Sequence, residues 1–192
     1  MKRILVAVIL ASALAASLAA PAAAADAPAA LEKAKTLLTQ GKPGQALIAA
    51  EEALAAIWDQ APFHLRNVTL VERKAPMYGM FTPRKDNVYP AGQSRIVIYM
   101  EPRAYKFRKE PQGYSLGVAM DIYLLDPSGK VLFGREGFLR QRFTSRHRVR
   151  EMMLNATLTL SGAPAGQYLI KLVVHDLNSK ATATAKVPIV LQ

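Results

Sequence analysis

Gly166 to Leu191 reads GQYLIKLVVHDLNSKATATAKVPIVL, and this stretch decides the fold. Two runs rich in β-branched and small residues flank Asp176 to Ser179, a cluster of turn-formers, which is the pattern of a β-hairpin. Tyr168, Ile170, Leu172 and Val174 fall on one pleat face, so the first run can sit at the centre of a sheet. The corner into it is Ser161 to Gly166, SGAPAG.

Outward from that hairpin, alternation and turn spacing predict strands over Met152 to Leu160, Val131 to Phe143, Tyr114 to Leu125, Ser94 to Glu101 and His64 to Glu72. A break is expected near Gly134 or Gly137. Asp126-Pro-Ser-Gly-Lys130 is a well-formed turn, with Pro fixing φ and Gly accepting positive φ. A basic loop runs from Pro102 to Gly113, and a Pro- and Gly-rich loop from Ala75 to Asn87. Together these give about seven strands, the count of an immunoglobulin-like β-sandwich, over residues 62–192.

Residues 26–61 carry helical periodicity. Leu31, Ala34, Leu37 and Leu38 form one stripe, QGKPG (Gln40 to Gly44) stops the helix, and a second stripe holds Ala46, Leu47, Ala50, Leu54, Ile57 and Trp58. The expected architecture is therefore mainly β, a seven-stranded sandwich with an N-terminal two-helix hairpin. Before it, Lys2-Arg3, the apolar run Ile4 to Leu18 and Ala23-Ala24-Ala25 match the parts of a secretory signal peptide, placing cleavage after Ala25. The expected location is the bacterial periplasm, with secretion as the alternative. No later apolar run is long enough for a transmembrane segment in the mature chain. With no cysteine, stability has to come from a packed core rather than disulfides.

LLTQGKPGQALIAAEEAL, residues 37–54, resembles a single tetratricopeptide-type hairpin, although the consensus tyrosine and other consensus positions of that repeat are missing. Such units bury their faces by stacking, so one alone needs a cover. A helical cap on the sandwich is the preferred expectation and a peptide-binding groove the alternative. VYPAGQSRIVIYMEP, AMDIYLLDPSGKVL and the terminal hairpin resemble bacterial exported immunoglobulin-like sandwiches, over residues 63–191. The resemblance implies architecture and no particular activity.

The chemistry-bearing residues do not converge in sequence. His64, His147 and His175 are far apart, and none has a partner at metal-ligand spacing. His175-Asp176 places neighbours on opposite strand faces, so Asp176 reads as a turn residue and His175 as an edge or capping one. Asp121, Asp126, Glu101, Glu136 and Glu151 all read as surface or turn positions. With no phosphate loop, nucleophile elbow or zinc motif, neither an enzyme nor a cofactor is expected.

Basic residues stand above background: 25 Lys and Arg face 14 Asp and Glu, a net charge of +11. Arg140, Arg142, Arg146, Arg148 and Arg150 crowd eleven positions, and a second group, Arg103, Lys106, Arg108 and Lys109, is interleaved with Tyr105 and Phe107. Guanidinium forks suit carboxylate and phosphate, so Arg103, Lys106, Arg108 and the five downstream arginines are the candidate anion-binding strip. Protection of an edge strand is a slightly simpler account of the same charges taken alone. Met77, Tyr78, Met80 and Phe81 make a mobile apolar loop, either folded over an open sandwich end or serving as a docking patch.

The functional expectation is a non-enzymatic periplasmic interaction module. Its partner would be an anionic envelope component or an acidic protein, not nucleic acid, from which export separates it. The alternative is a structural protein docking on another subunit through its hairpin.

Overall fold

Alternating apolar positions fold the chain after Phe63 into β1 (His64–Leu70), β2 (Val88–Tyr89), β3 (Gln93–Arg103), β4 (Arg108–Glu110), β5 (Gly113–Leu125), β6 (Val131–Ser145), β7 (Leu154–Ser161), β8 (Gly166–Asp176) and β9 (Thr182–Leu191). They follow two helices, α1 (Ala27–Thr39) and α2 (Pro43–Gln60). This computed structural model describes residues 26–192, and the expected signal peptide lies outside the described residues. Seven longer strands carry the sandwich, while β2 and β4 add only two and three residues.

One sheet has the order β1-β3-β7, and the other runs β2-β9-β8-β5, with β6 and β4 also paired to β5. All pairings are antiparallel except β2 with β9. The terminal hairpin lies as its sequence dictates, with β8 between β5 and β9 and Tyr168, Ile170, Leu172 and Val174 all buried. Opposite them, Ile96, Ile98 and Met100 of β3 and Leu154, Ala156 and Leu158 of β7 close the core.

The expected break in β6 is a bulge. Met120 pairs with Leu139 but Ile122 with Arg135, so the extra residues loop out at Gly137, whose φ is 59°. The Gly137 amide donates to Asp121 Oδ1 at 2.8 Å, which satisfies the displaced backbone. Among the described residues β6 pairs with β5 alone, and it is exposed along nearly its whole length.

The helical hairpin departs from the expected stripes. The buried faces are Ala27, Ala30 and Ala34 of α1 and Ala46, Ala49, Ala53 and Ala56 of α2, so alanines bring the two helices together. Leu47, Leu54 and Ile57, expected to lie with Trp58 on one stripe, point to solvent, and Leu47 is 62% exposed. Trp58 alone of that set turns into the sandwich core. Small side chains permit the closest helix approach, and this geometry outweighs the larger transfer energy of leucine. The hairpin is thus pinned at one end rather than laid over the sandwich as a cap.

Candidate functional site

The last turn of α2 sets the joint. Trp58 Nε1 donates to the Tyr105 carbonyl at 2.9 Å, and its ring meets Tyr105 edge-on with centroids 5.1 Å apart. The Arg103 guanidinium lies over the Trp58 ring at 4.8 Å, a cation–π contact. Next to Trp58, Asp59 pairs with Arg148, and its carbonyl accepts from Lys106 Nζ. Arg148 in turn stacks on Phe107 at 4.7 Å.

The outer face of β3 supplies the opposite wall. Val97, Tyr99, Glu101 and Arg103 share its pleat, and a bulge in β1 between Arg66 and Thr69 puts Asn67 at φ 53°. Glu101 is 1% exposed and accepts from Arg66 Nε at 2.9 Å and from Tyr99 Oη at 2.8 Å. Burial pushes its carboxyl up, but hydrogen bonds from Asn67, Tyr99 and Arg66 prevail and hold it below the usual carboxylate range. Glu101 is therefore an interior ionised group, not the surface position expected from its neighbours. Burial also raises the Tyr99 phenol, to about 12, so it remains a proton donor to Glu101 at neutral pH.

Tyr78 joins the walls. Its hydroxyl accepts from Arg66 at 2.8 Å and from Arg103 at 3.1 Å. The loop carrying it is held down by Gly79 N–H donating to Tyr99 Oη, by Asn155 bonded both ways to Ala75, and by Phe81 stacked on Tyr99 at 4.2 Å. The loop covers the outer face of the three-stranded sheet rather than the sandwich end, because Val71, Val97 and Tyr99 offer apolar surface there. Met77 and Met80 stay exposed at its tip.

Between these walls lies a cleft of about 560 Å³, lined by Leu54, Arg66, Tyr78, Arg103, Arg148, Val149, Arg150 and Glu151. Four guanidinium groups converge on it. Arg66 and Arg148 are matched by Glu101 and Asp59, whereas among the described residues Arg103 and Arg150 have no carboxylate at ion-pair distance. The Nε atoms of Arg148 and Arg150 are buried without a hydrogen-bond partner. Burial and the neighbouring Arg148 charge both pull Arg150 below the ordinary guanidinium value. An anion entering the cleft would meet the unmatched charges of Arg103 and Arg150.

The expected strip of arginines is thus divided. Arg103, Arg148 and Arg150 line the cleft and Lys106 braces the hairpin beside it. Arg108 pairs with Glu110 at 2.8 Å. Arg140 and Arg142 sit opposite Ala119 and Gly117 on the outer face of edge strand β6, and Arg142 donates to Asn178 at 3.1 Å. Arg146 stands exposed after β6 ends at Ser145, where the chain leaves the extended conformation that would have aligned it with Arg148 and Arg150. Of the candidate loop residues, Tyr78 enters the cleft, Met77 flanks it, Phe81 is packed down and Met80 lies outside.

Sequence reasoning missed Arg66, a lone arginine in a strand, and the anchoring role of Trp58, whose only sign was being the single tryptophan. It also missed a pairing across β5 and β8, where His175 Nε2 lies 2.6 Å from Asp121 Oδ2. Asp176, as expected, shapes its turn: it accepts from the Asn178 amide and from the Ser179 hydroxyl. Among the described residues no group of three His, Asp or Glu side chains could hold a metal ion, and no helix is long and apolar enough to cross a membrane.

The sequence matches no family model and no curated protein. Among solved structures, the chain is similar to the PKD domain of an M14-like peptidase from a Thermoplasmatales archaeon. The two are 11% identical with TM-score 0.37, over 68% of this chain and 96% of that one. A CARDB domain from Pyrococcus furiosus aligns over 68% of this chain and 93% of its own, at 12% identity and TM-score 0.32. A DUF3823 family protein from Bacteroides ovatus gives 11% identity and TM-score 0.33, over 68% of this chain and 56% of that one. Likenesses of this size carry no functional argument; the residues of the cleft have to supply it.

Proposed function

We propose that the protein is a non-enzymatic interaction module of the periplasm, or of the secreted fraction, that grips an anionic group in the arginine cleft. On this reading it is an exported bacterial immunoglobulin-like protein, and its hairpin is a lone tetratricopeptide-type unit. The partner is an anionic envelope component or an acidic protein face. One observation carries the reading: four guanidinium groups converge on one cleft, and among the described residues two of them, Arg103 and Arg150, have no carboxylate at ion-pair distance. Such unmatched charges attract an anion, and charge-assisted bonds to carboxylate or phosphate are the strong way to meet them.

The test is calorimetric titration of the mature protein with inorganic phosphate, at low salt and at 1 M NaCl. Arg150→Gln should weaken binding about tenfold or more, the loss expected for a charge-assisted hydrogen bond. High salt should also weaken it, since the Debye length shortens from about 8 Å at physiological strength to about 3 Å at 1 M. No binding, or binding indifferent to Arg150→Gln in a variant that melts normally, overturns the reading.

A second reading has its own observation. Leu31, Leu38, Leu47, Ile48, Leu54 and Ile57 are all exposed on the hairpin, more apolar surface than a solvent-facing helix pair needs. This favours a hairpin that docks on another subunit. Sedimentation of the wild type against Leu47→Glu and Ile48→Glu distinguishes the cases. Association lost in the variants supports docking, and a monomer at every concentration removes self-association from it.

A further inference from the structure

The arginine cleft does not end at its own walls. Val149, Tyr78 and Glu151 also border a second groove of about 540 Å³, lined mainly by Met77, Leu116, Phe143, Val149, Met152 and Met153. The groove exists because β6 runs past the three-stranded sheet. Leu116 and Phe143 are register partners on the inward face, but Leu116 is buried whereas Phe143 remains 47% exposed. The two concavities share Tyr78, Val149 and Glu151, so one surface offers guanidinium groups at one end and mainly apolar side chains at the other.

We propose that these two concavities together hold a single-chain anionic amphiphile, its carboxylate or phosphate head at Arg103 and Arg150 and its alkyl chain along Met77, Phe143 and Met152. The proposal rests on the anion-binding reading and specifies its ligand. Charge complementarity fixes the head end. For the tail, an alkyl chain brings no polar groups, whereas a peptide brings an N–H and a C=O at every residue that walls of Met, Leu, Phe and Val side chains cannot satisfy. Methionine, with its flexible polarizable thioether, adapts to a chain of variable conformation, and three of the six main lining residues are methionine. Glu151 stands at the seam and repels the head, which keeps it at the arginine end.

The experiment titrates the mature protein with inorganic phosphate, butyl phosphate and octyl phosphate below micelle-forming concentrations. Affinity should rise about threefold to fourfold per methylene until the groove is filled, the value for burying a CH₂ group. The double variant Met77→Ser, Phe143→Ser should flatten that rise and leave phosphate affinity unchanged; both side chains are exposed, so its melting should match wild type. Glu151→Gln should tighten every member of the series. Equal affinity for phosphate and octyl phosphate overturns the amphiphile while the anion reading stands. Octyl phosphate bound with no dependence on Arg150 overturns the anion reading and the proposal with it. An apolar peptide ending in a carboxylate that binds more tightly than octyl phosphate, through the same residues, also overturns the amphiphile and assigns the cleft to a peptide.

Discussion

Trp58 is the apolar anchor of the joint between hairpin and sandwich, beside the polar ties of Asp59 to Arg148 and Lys106. Its indole fills the core edge beside Tyr105 and Phe107, gives its N–H to a backbone carbonyl and offers its face to Arg103. Trp58→Ala should cost about 3–5 kcal/mol in urea denaturation, as for other buried aromatics, and should release the hairpin. Glu101 governs the other wall, and its effect is pH-dependent. Its folded pKa lies below the ordinary value of 4.5, so the stability it contributes is present above that value and is lost as pH falls through the lower folded pKa. Thermal melts from pH 7 to pH 3 should show this loss in the wild type and a smaller slope in Glu101→Gln. At neutral pH that variant should be about 1–3 kcal/mol less stable, from weakened hydrogen bonds to a charged acceptor. An unchanged slope would show that other carboxylates set the acid limb.

At the scale of elements, the sheets were legible and the helix faces were not. A strand announces its buried face by alternation, so β8 and β7 could be read directly from Tyr168, Ile170 and Leu172 or from Leu154, Ala156 and Leu158. A helix pair that closes through alanine breaks the rule that large apolar residues face inward, and Leu47 and Leu54 mislead for that reason. The cleft was half legible: arginine density marked Arg103, Arg148 and Arg150, but Arg66 and Glu101 become neighbours only through the register of β1 on β3. The β4–β5 turn offers a sharper test of register. Gly113 has φ 139°, and a Cβ there would lie 2.2 Å from the Ser145 carbonyl oxygen. Gly113→Ala should therefore destabilise by about 2–4 kcal/mol, combining strained backbone with an overpacked contact, read as a shift in the urea midpoint.

Across the whole molecule, charge and mechanical coupling divide along the same line. The +11 excess sits on the sandwich, since Lys33, Lys35 and Lys42 of the hairpin are outnumbered by Asp26, Glu32, Glu51, Glu52 and Asp59. The hairpin has its alanine seam and the anchor at Trp58 and Asp59, while β3, β5 and β8 share one continuous core. Local opening follows such differences in contact density, so α1 should exchange its amide hydrogens without global unfolding. Hydrogen-exchange mass spectrometry should find α1 exchanging roughly a hundredfold faster than β8, equivalent to about 3 kcal/mol between local and global opening. Octyl phosphate should slow exchange at residues 148–153 and 75–81 and leave α1 untouched, because the cleft meets the hairpin only near Leu54. Protection of α1 equal to that of β8 would mean that its leucines are already covered, and the hairpin would then be the working surface.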